Sequence, residues 1–194
     1  MNVDQLFETE PEFETSKLLL RKITMDDTEA YYELASDPAV ATYTLWDKHQ
    51  SITDSRAFIS RLIQKYSEKE AYHWGIIDKV ENKLIGRTGL IQWDLTHEKT
   101  EIGFALSRSY WNQGIITEAT RLIIEYGFML LGFNRIEGRC SYNNAGSARA
   151  MEKLGMKWEG ILRGQLKMKG EFVDQRMYAI LRNDFDSVNN SSTL

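Results

Sequence analysis

Between Glu101 and Ser147 the residue pattern changes repeatedly, and no single kind of secondary structure accommodates the whole span. Glu101-Ile102-Gly103-Phe104-Ala105-Leu106 alternates with the period of a strand. Tyr110-Trp111-Asn112-Gln113-Gly114-Ile115-Ile116-Thr117-Glu118-Ala119 turns on a glycine and opens a helix. Asn134-Arg135-Ile136-Glu137-Gly138-Arg139-Cys140 reads as a second strand, and Asn143-Asn144-Ala145-Gly146-Ser147 leads into another helix. A helix that carries the chain from one strand back to its neighbour makes the two strands parallel. Helix starts then lie beyond the ends of adjacent parallel strands, and the crevice between them suits a large phosphate-bearing ligand.

The flanks complete a mixed sheet. Leu18 to Ile23 alternates as a strand, and Thr24 with Asp27 forms a capping pair for a helix to about Ser36, which Asp37-Pro38 ends. Val40 to Thr53 has no steady period, and its Tyr43 and Trp46 suit either a wall of the core or the mouth of an acceptor site. Asp54 to Tyr66 has helical spacing, and Tyr72–Asp78, Leu84–Trp93 and the strand at Glu101 form a meander through short polar turns. A helix over 117–131, a strand over 135–142, a helix over 147–153 and strands over 157–163 and 173–181 follow. The expected fold is α/β with a central twisted mixed sheet flanked by helices. The 194 residues suit a single domain, with a flexible arm over 1–15 and a polar tail over 184–194.

Composition narrows the chemistry. One cysteine, Cys140, excludes an internal disulfide, and His49, His73 and His97 have no metal-ligand spacing, so no metal is expected. A net charge of −4 argues against direct nucleic-acid binding. The sequence holds no membrane-spanning apolar run and no secretory leader pattern, which gives cytoplasmic as the expected location. Exposed sheet edges leave room for a homodimer.

Around Gly114 the first-turn amides of the next helix lack internal acceptors, and a glycine keeps their approach clear. The turn is neither a GxGxxG fingerprint nor a GKS/GKT phosphate loop, so on its own it fits helix capping as well as phosphate binding.

With its neighbours, the turn resembles the GCN5-related N-acetyltransferase superfamily, in particular the branch that acetylates the amino termini of ribosomal proteins. Gln113-Gly114-Ile115-Ile116, preceded by Tyr110-Trp111, is similar to the family's pyrophosphate turn, with Ile116 where a small residue is usual. Asn144-Ala145-Gly146-Ser147, continuing through Met151 to Lys153-Leu154-Gly155-Met156, is similar to its second block. The resemblance covers roughly residues 16–182. It implies the acyl-CoA N-acyltransferase fold, acetyl-coenzyme A as donor, and a primary amine as acceptor. That amine would be the terminus of a protein, such as a ribosomal protein, attacking directly in a ternary complex.

The implied cofactor contacts are Phe104, Ala105 and Leu106 along the strand, Gln113, Gly114, Ile115, Ile116 and Thr117 at the turn, and Asn144 and Ser147 at the second helix. Many members place a tyrosine where this chain has Met151, so that proton donor is missing, and the ribosomal branch points to Ser147 instead. Ser147 also suits the cap of its helix. Glu101 is the candidate base, with Glu137 its rival and ion pairing its alternative role. Where some ribosomal-protein acetylases carry a further carboxylate, this chain has Leu166. A small amine or an aminoglycoside-like acceptor, or an acyl-coenzyme A sensor without catalysis, also fits these residues.

Overall fold

The computed structural model describes residues 2–191, with side chains through residue 186. Its strands are β1 (Phe13–Glu14), β2 (Leu18–Lys22), β3 (Ala71–Asp78), β4 (Lys83–Asp94), β5 (Lys99–Leu106), β6 (Arg135–Ser141), β7 (Lys157–Met168) and β8 (Glu171–Leu181). They form one eight-stranded sheet in the order β1-β2-β3-β4-β5-β6-β8-β7 among the described residues. Among the described residues seven α-helices surround it: α1 (Asp4–Thr9), α2 (Thr28–Ser36), α3 (Pro38–Ala41), α4 (Ile52–Ser67), α5 (Ile115–Tyr126), α6 (Ala145–Lys153) and α7 (Arg182–Ser191).

β3 and β4 are covered on both faces, which is why they read as nearly continuous apolar runs rather than as alternating strands. On one face, Thr88 of β4 bonds Thr120 of α5 across 3.0 Å, and Met151 of α6 lies against Gly138 of β6. On the other, Tyr31 of α2 stacks on Phe58 of α4, and the Tyr66 hydroxyl of α4 donates to the His73 carbonyl at 2.7 Å. Pairing is antiparallel everywhere except between β5 and β6, the parallel pair that α5 connects.

Near both termini the described residues pack against the body of the fold, where the sequence shows no period. Leu6 of α1 is fully buried, Phe7 packs edge-on to Tyr72 at 5.6 Å, and the Trp74 indole donates to the Pro11 carbonyl at 2.6 Å. A helix of this length shows only one or two apolar contacts, too few for a period to register. At the other end, α7 occupies much of the expected tail, anchored by buried Phe185 and by Arg182, whose Nε donates to the Phe133 carbonyl at 3.2 Å. The rest of the expected tail, residues 192–194, lies outside the described residues.

Two helices begin earlier than their periodicity indicates. α5 starts at Ile115 rather than 117, and α6 at Ala145 rather than 147. The α6 cap is Asn144, whose side chain accepts from the Ser147 N–H at 3.0 Å. Ser147 is therefore inside the first turn, and the expected capping role of its hydroxyl belongs to Asn144.

Candidate active site

β5 and β6 pair only from Lys99–Arg135 to Ile102–Gly138; beyond that, β5 continues as Gly103–Leu106 while β6 pairs with β8. The sheet is thus parted at its middle. A cleft of about 1500 Å³ passes through the parting, with Ser147 and Met151 of α6 on one side and Glu101, Arg139, His73 and Arg87 on the other. It exceeds the roughly 300–1,000 Å³ of an ordinary small-molecule pocket.

At one end lies the Gly114 bend. Asn112 and Gly114 have φ of 60° and 81°, so the chain turns through two left-handed residues before α5. The first intrahelical bond runs from the Glu118 N–H to the Gly114 carbonyl at 2.9 Å. The N–H groups of Ile115, Ile116 and Thr117 precede that ladder, and all three residues line the cleft. A Cβ built on Gly114 would meet nothing within 4 Å, so the bend is open to a ligand and not buried under other parts of the chain. The Trp111 indole donates to the Leu106 carbonyl at 2.8 Å and ties the bend to the end of β5. Gln113 does not share this placement: its side chain folds back onto the Ser109 carbonyl at 2.8 Å, and it is absent from the cleft lining.

Across the parting, strand register assembles the opposite face. His73, Gly89 and Gly103 lie abreast on β3, β4 and β5; Gly75, Arg87 and Ala105 form the next row; Ile91, Glu101 and Glu137 form a third. Paired residues share a face, so these rows form a floor of small residues with a few long polar ones. Gly89 has to be glycine, because a Cβ there would come 2.4 Å from the Tyr72 carbonyl oxygen and 2.5 Å from His73 Nδ1.

Glu101 is largely buried and pairs with Arg139, whose Nε donates to Oε2 at 2.9 Å and whose Nη2 bonds the same oxygen. Oε1 has no protein partner among the described residues. Nη2 of Arg139 also reaches Gln92 Oε1 at 2.9 Å, across a bulge where Gln92 takes φ of 51°. Burial pushes the Glu101 carboxyl above its ordinary value, with Arg139 opposing. The rival Glu137 is taken up by Arg135 at 2.8 Å and lies outside the cleft lining.

Ser147 is half-buried in the cleft wall, as are Phe104 and Asn144, while Ala105 and Leu106 are nearly covered. Tyr43 and Trp46 reach the same cleft from the α3–α4 loop, which brings both expected acceptor residues to it. Cys140 is packed, its thiol pushed up to about 11 by burial.

Residues 17–157 match the model of the acetyltransferase (GNAT) domain. The chain belongs to the GNAT family.

This GNAT chain is 31% identical to p20, an uncharacterised N-acetyltransferase of Bacillus licheniformis, over 88% of its own length and 96% of the relative's. A GNAT-family acetyltransferase structure from Bacillus anthracis superposes with a TM-score of 0.79 at 30% identity, covering 89% of this chain and 99% of that one. The fold is also that of a ribosomal-protein-S5-alanine acetyltransferase from Vibrio fischeri, with a TM-score of 0.77 at 21% identity over 90% and 98% of the two chains. The protein is accordingly an acetyltransferase that moves an acetyl group from acetyl-coenzyme A to an amine. Its own residues fit that donor. The open bend presents main-chain donors of the kind that hold phosphate, and the unpaired stretch of β5 offers an edge for an extended arm.

Sequence reasoning missed Arg139, Arg87, His73 and Gln92 as site residues. They are scattered over three strands, and only the register brings them together. The one local signal was the pair of strand glycines, Gly89 and Gly103, in a core where glycine otherwise weakens packing.

Proposed function

We propose that the acceptor is the N-terminal α-amine of a protein, with a ribosomal protein as the leading class, and that it attacks the thioester directly while both substrates are bound. The observation that carries this reading is the pair of surface segments that wall the cleft beyond the sheet. They are the α3–α4 loop, with exposed Tyr43 and Leu45, and the β7–β8 hairpin, which contributes Gln165, Leu166 and Gln175. Lys169 at the hairpin tip donates to the Ala41 carbonyl at 2.7 Å and joins the two walls. Walls of this kind, joined at the protein surface, suit a chain end whose remainder stays outside. An α-amine, with an ordinary pKa near 8, also releases its proton more readily than a lysine amine.

Glu101 is the proposed proton acceptor, since burial brings its carboxyl nearer the working pH and one of its oxygens is unengaged. Ser147 is the proposed partner of the departing sulfur, because Met151 at the usual tyrosine position has no proton to give and is itself buried. Backbone N–H groups on the unpaired part of β5 would meet the oxygen that gains charge.

The test is thiol release from acetyl-coenzyme A with a panel of peptides carrying free or blocked amino termini, polyamines and aminoglycosides. Turnover confined to free peptide termini supports the proposal. Turnover of polyamines or aminoglycosides alone replaces it with a small-amine enzyme, and donor binding without product from any acceptor reduces the chain to a sensor.

A further inference from the structure

Arg87 is 9% exposed, and no carboxylate lies within ion-pair distance of it among the described residues. Its Nε donates to the Tyr31 hydroxyl at 3.3 Å and its Nη1 to His73 Nδ1 at 3.2 Å. A guanidinium only donates, so Nδ1 of His73 is the unprotonated ring nitrogen and both partners are neutral. The rings of Trp46 and Phe58 each have their centroid 5.5 Å from the guanidinium carbon. These contacts hold the cation in place but do not neutralise it, and Nη2 finds no acceptor among the described residues.

The contrast with its neighbours is informative. Arg139, Lys65 and Lys69 line the same cleft and pair with Glu101, Glu70 and Asp4, while Arg61, Arg149 and Lys153, which line it without an ion pair among the described residues, are exposed to solvent; Arg87 is both unpaired and buried. Burying an unmatched charge is expensive, and a buried cation left open toward a cavity marks the place of an anion. Trp46 lines the cleft beside Arg87, but its Nε1, although without a hydrogen-bond partner among the described residues, has almost no surface open to a ligand, which leaves the guanidinium as the group that faces the cavity.

We infer that Arg87 forms a carboxylate subsite on the acceptor face, and that preferred acceptors carry a carboxylate close to the reacting amine. The inference rests on the reading of this face as the acceptor site and specifies its substrate class. The subsite shares a face with the proposed base, because His73, to which Arg87 is bonded, lies in the row of Gly89 and Gly103, next to the row that holds Glu101. For a peptide terminus this places the carboxylate on a side chain within the first few residues. Gly103 lines the cleft, and a Cβ there would meet only Ile91 at 3.4 Å, so its place on the floor is open to such a group.

The experiment compares kcat/KM for peptides identical except for Asp against Asn, or Glu against Gln, at each of the first three positions. Free amino acids and their amides form a parallel arm. In the wild-type enzyme the acid at one position should exceed its amide by about tenfold or more, mainly through KM. In Arg87→Met that ratio should fall to near one, and Arg87→Lys should keep part of it as a point charge without the fork.

The wild-type comparison alone overturns the inference if acids and amides are used equally, so the result stands even if a variant fails to fold. Persistence of the full preference in Arg87→Met overturns it as well. Acid preference among free amino acids, with no peptide turned over, leaves the subsite supported and removes the protein-terminus reading. Equal use of acid and amide peptides does the reverse.

Discussion

The two ends of the cleft are built by opposite means. At the Gly114 bend the working groups are main-chain N–H donors at a helix start, exposed, with open space where a side chain would project. On the far face they are buried or half-buried ionisable side chains, Glu101, Arg139, Arg87 and His73, brought together from four strands. A donor molecule of fixed structure can be gripped by backbone, which is indifferent to most side-chain changes. An acceptor has to be chosen and a proton moved, and both need side chains whose charge is set by burial. The donor end is therefore the general part of the site, and the acceptor end the particular one.

Removing the far face's chemistry should have the largest effect. Glu101→Gln is expected to lower kcat by about a hundredfold or more, the scale of a lost proton acceptor, while acetyl-coenzyme A affinity by calorimetry stays near wild type. A base works only when unprotonated, so the rate falls as pH drops through its pKa. Because burial raises the Glu101 carboxyl, the acid limb of kcat/KM against pH should lie above the ordinary glutamate range. Arg139 opposes that rise, so Arg139→Gln should move the limb to higher pH still. A limb that stays put in Arg139→Gln would make the carboxylate an anchor for Arg139 and return the base to another group or to water.

A change at the donor end should be smaller and of the other kind. Valine at φ of 81° is strained by about 1–2 kcal/mol, yet its Cβ would meet nothing within 4 Å. Gly114→Val should therefore remain folded, with a melting temperature lower by a few degrees. Its acetyl-coenzyme A dissociation constant should rise by roughly tenfold, because the bend relaxes and a branched side chain enters the approach. Unchanged donor affinity in a folded Gly114→Val protein would break the contrast between the two ends.

This asymmetry also explains what could be read from the residues. The meander, the parallel crossover and the Gly114 bend rest on local period, turn glycines and helix starts, all written within a few consecutive residues. The long β7–β8 hairpin was placed but cut short, because its exposed middle has no buried face to impose alternation. Arg87 and His73 were not legible as a pair, because fourteen residues and a bulged register separate them. Glu101 could be singled out by its place at the start of the strand, but its partner Arg139 emerges only once β5 and β6 are known to lie side by side in register. α1 stayed hidden for a different reason: one fully buried leucine holds a six-residue helix and is too little signal to see.

The finest separation lies within one turn of α6. Asn144 caps the helix through the backbone N–H of Ser147, while the Ser147 hydroxyl takes no part in that bond. Asn144→Ala should cost about 1 kcal/mol of stability and lower the melting temperature by roughly 2–4 °C, because an orphan amide is left at the helix start. Ser147→Ala keeps the N–H and hence the cap, so its melting temperature should stay within a degree or so of wild type. Any fall in its kcat is then a statement about the hydroxyl itself, and pre-steady-state thiol release would show whether departure of the sulfur is the step that slows. Equal destabilisation of the two variants would mean that the hydroxyl is a structural group and that the departing sulfur takes its proton from solvent.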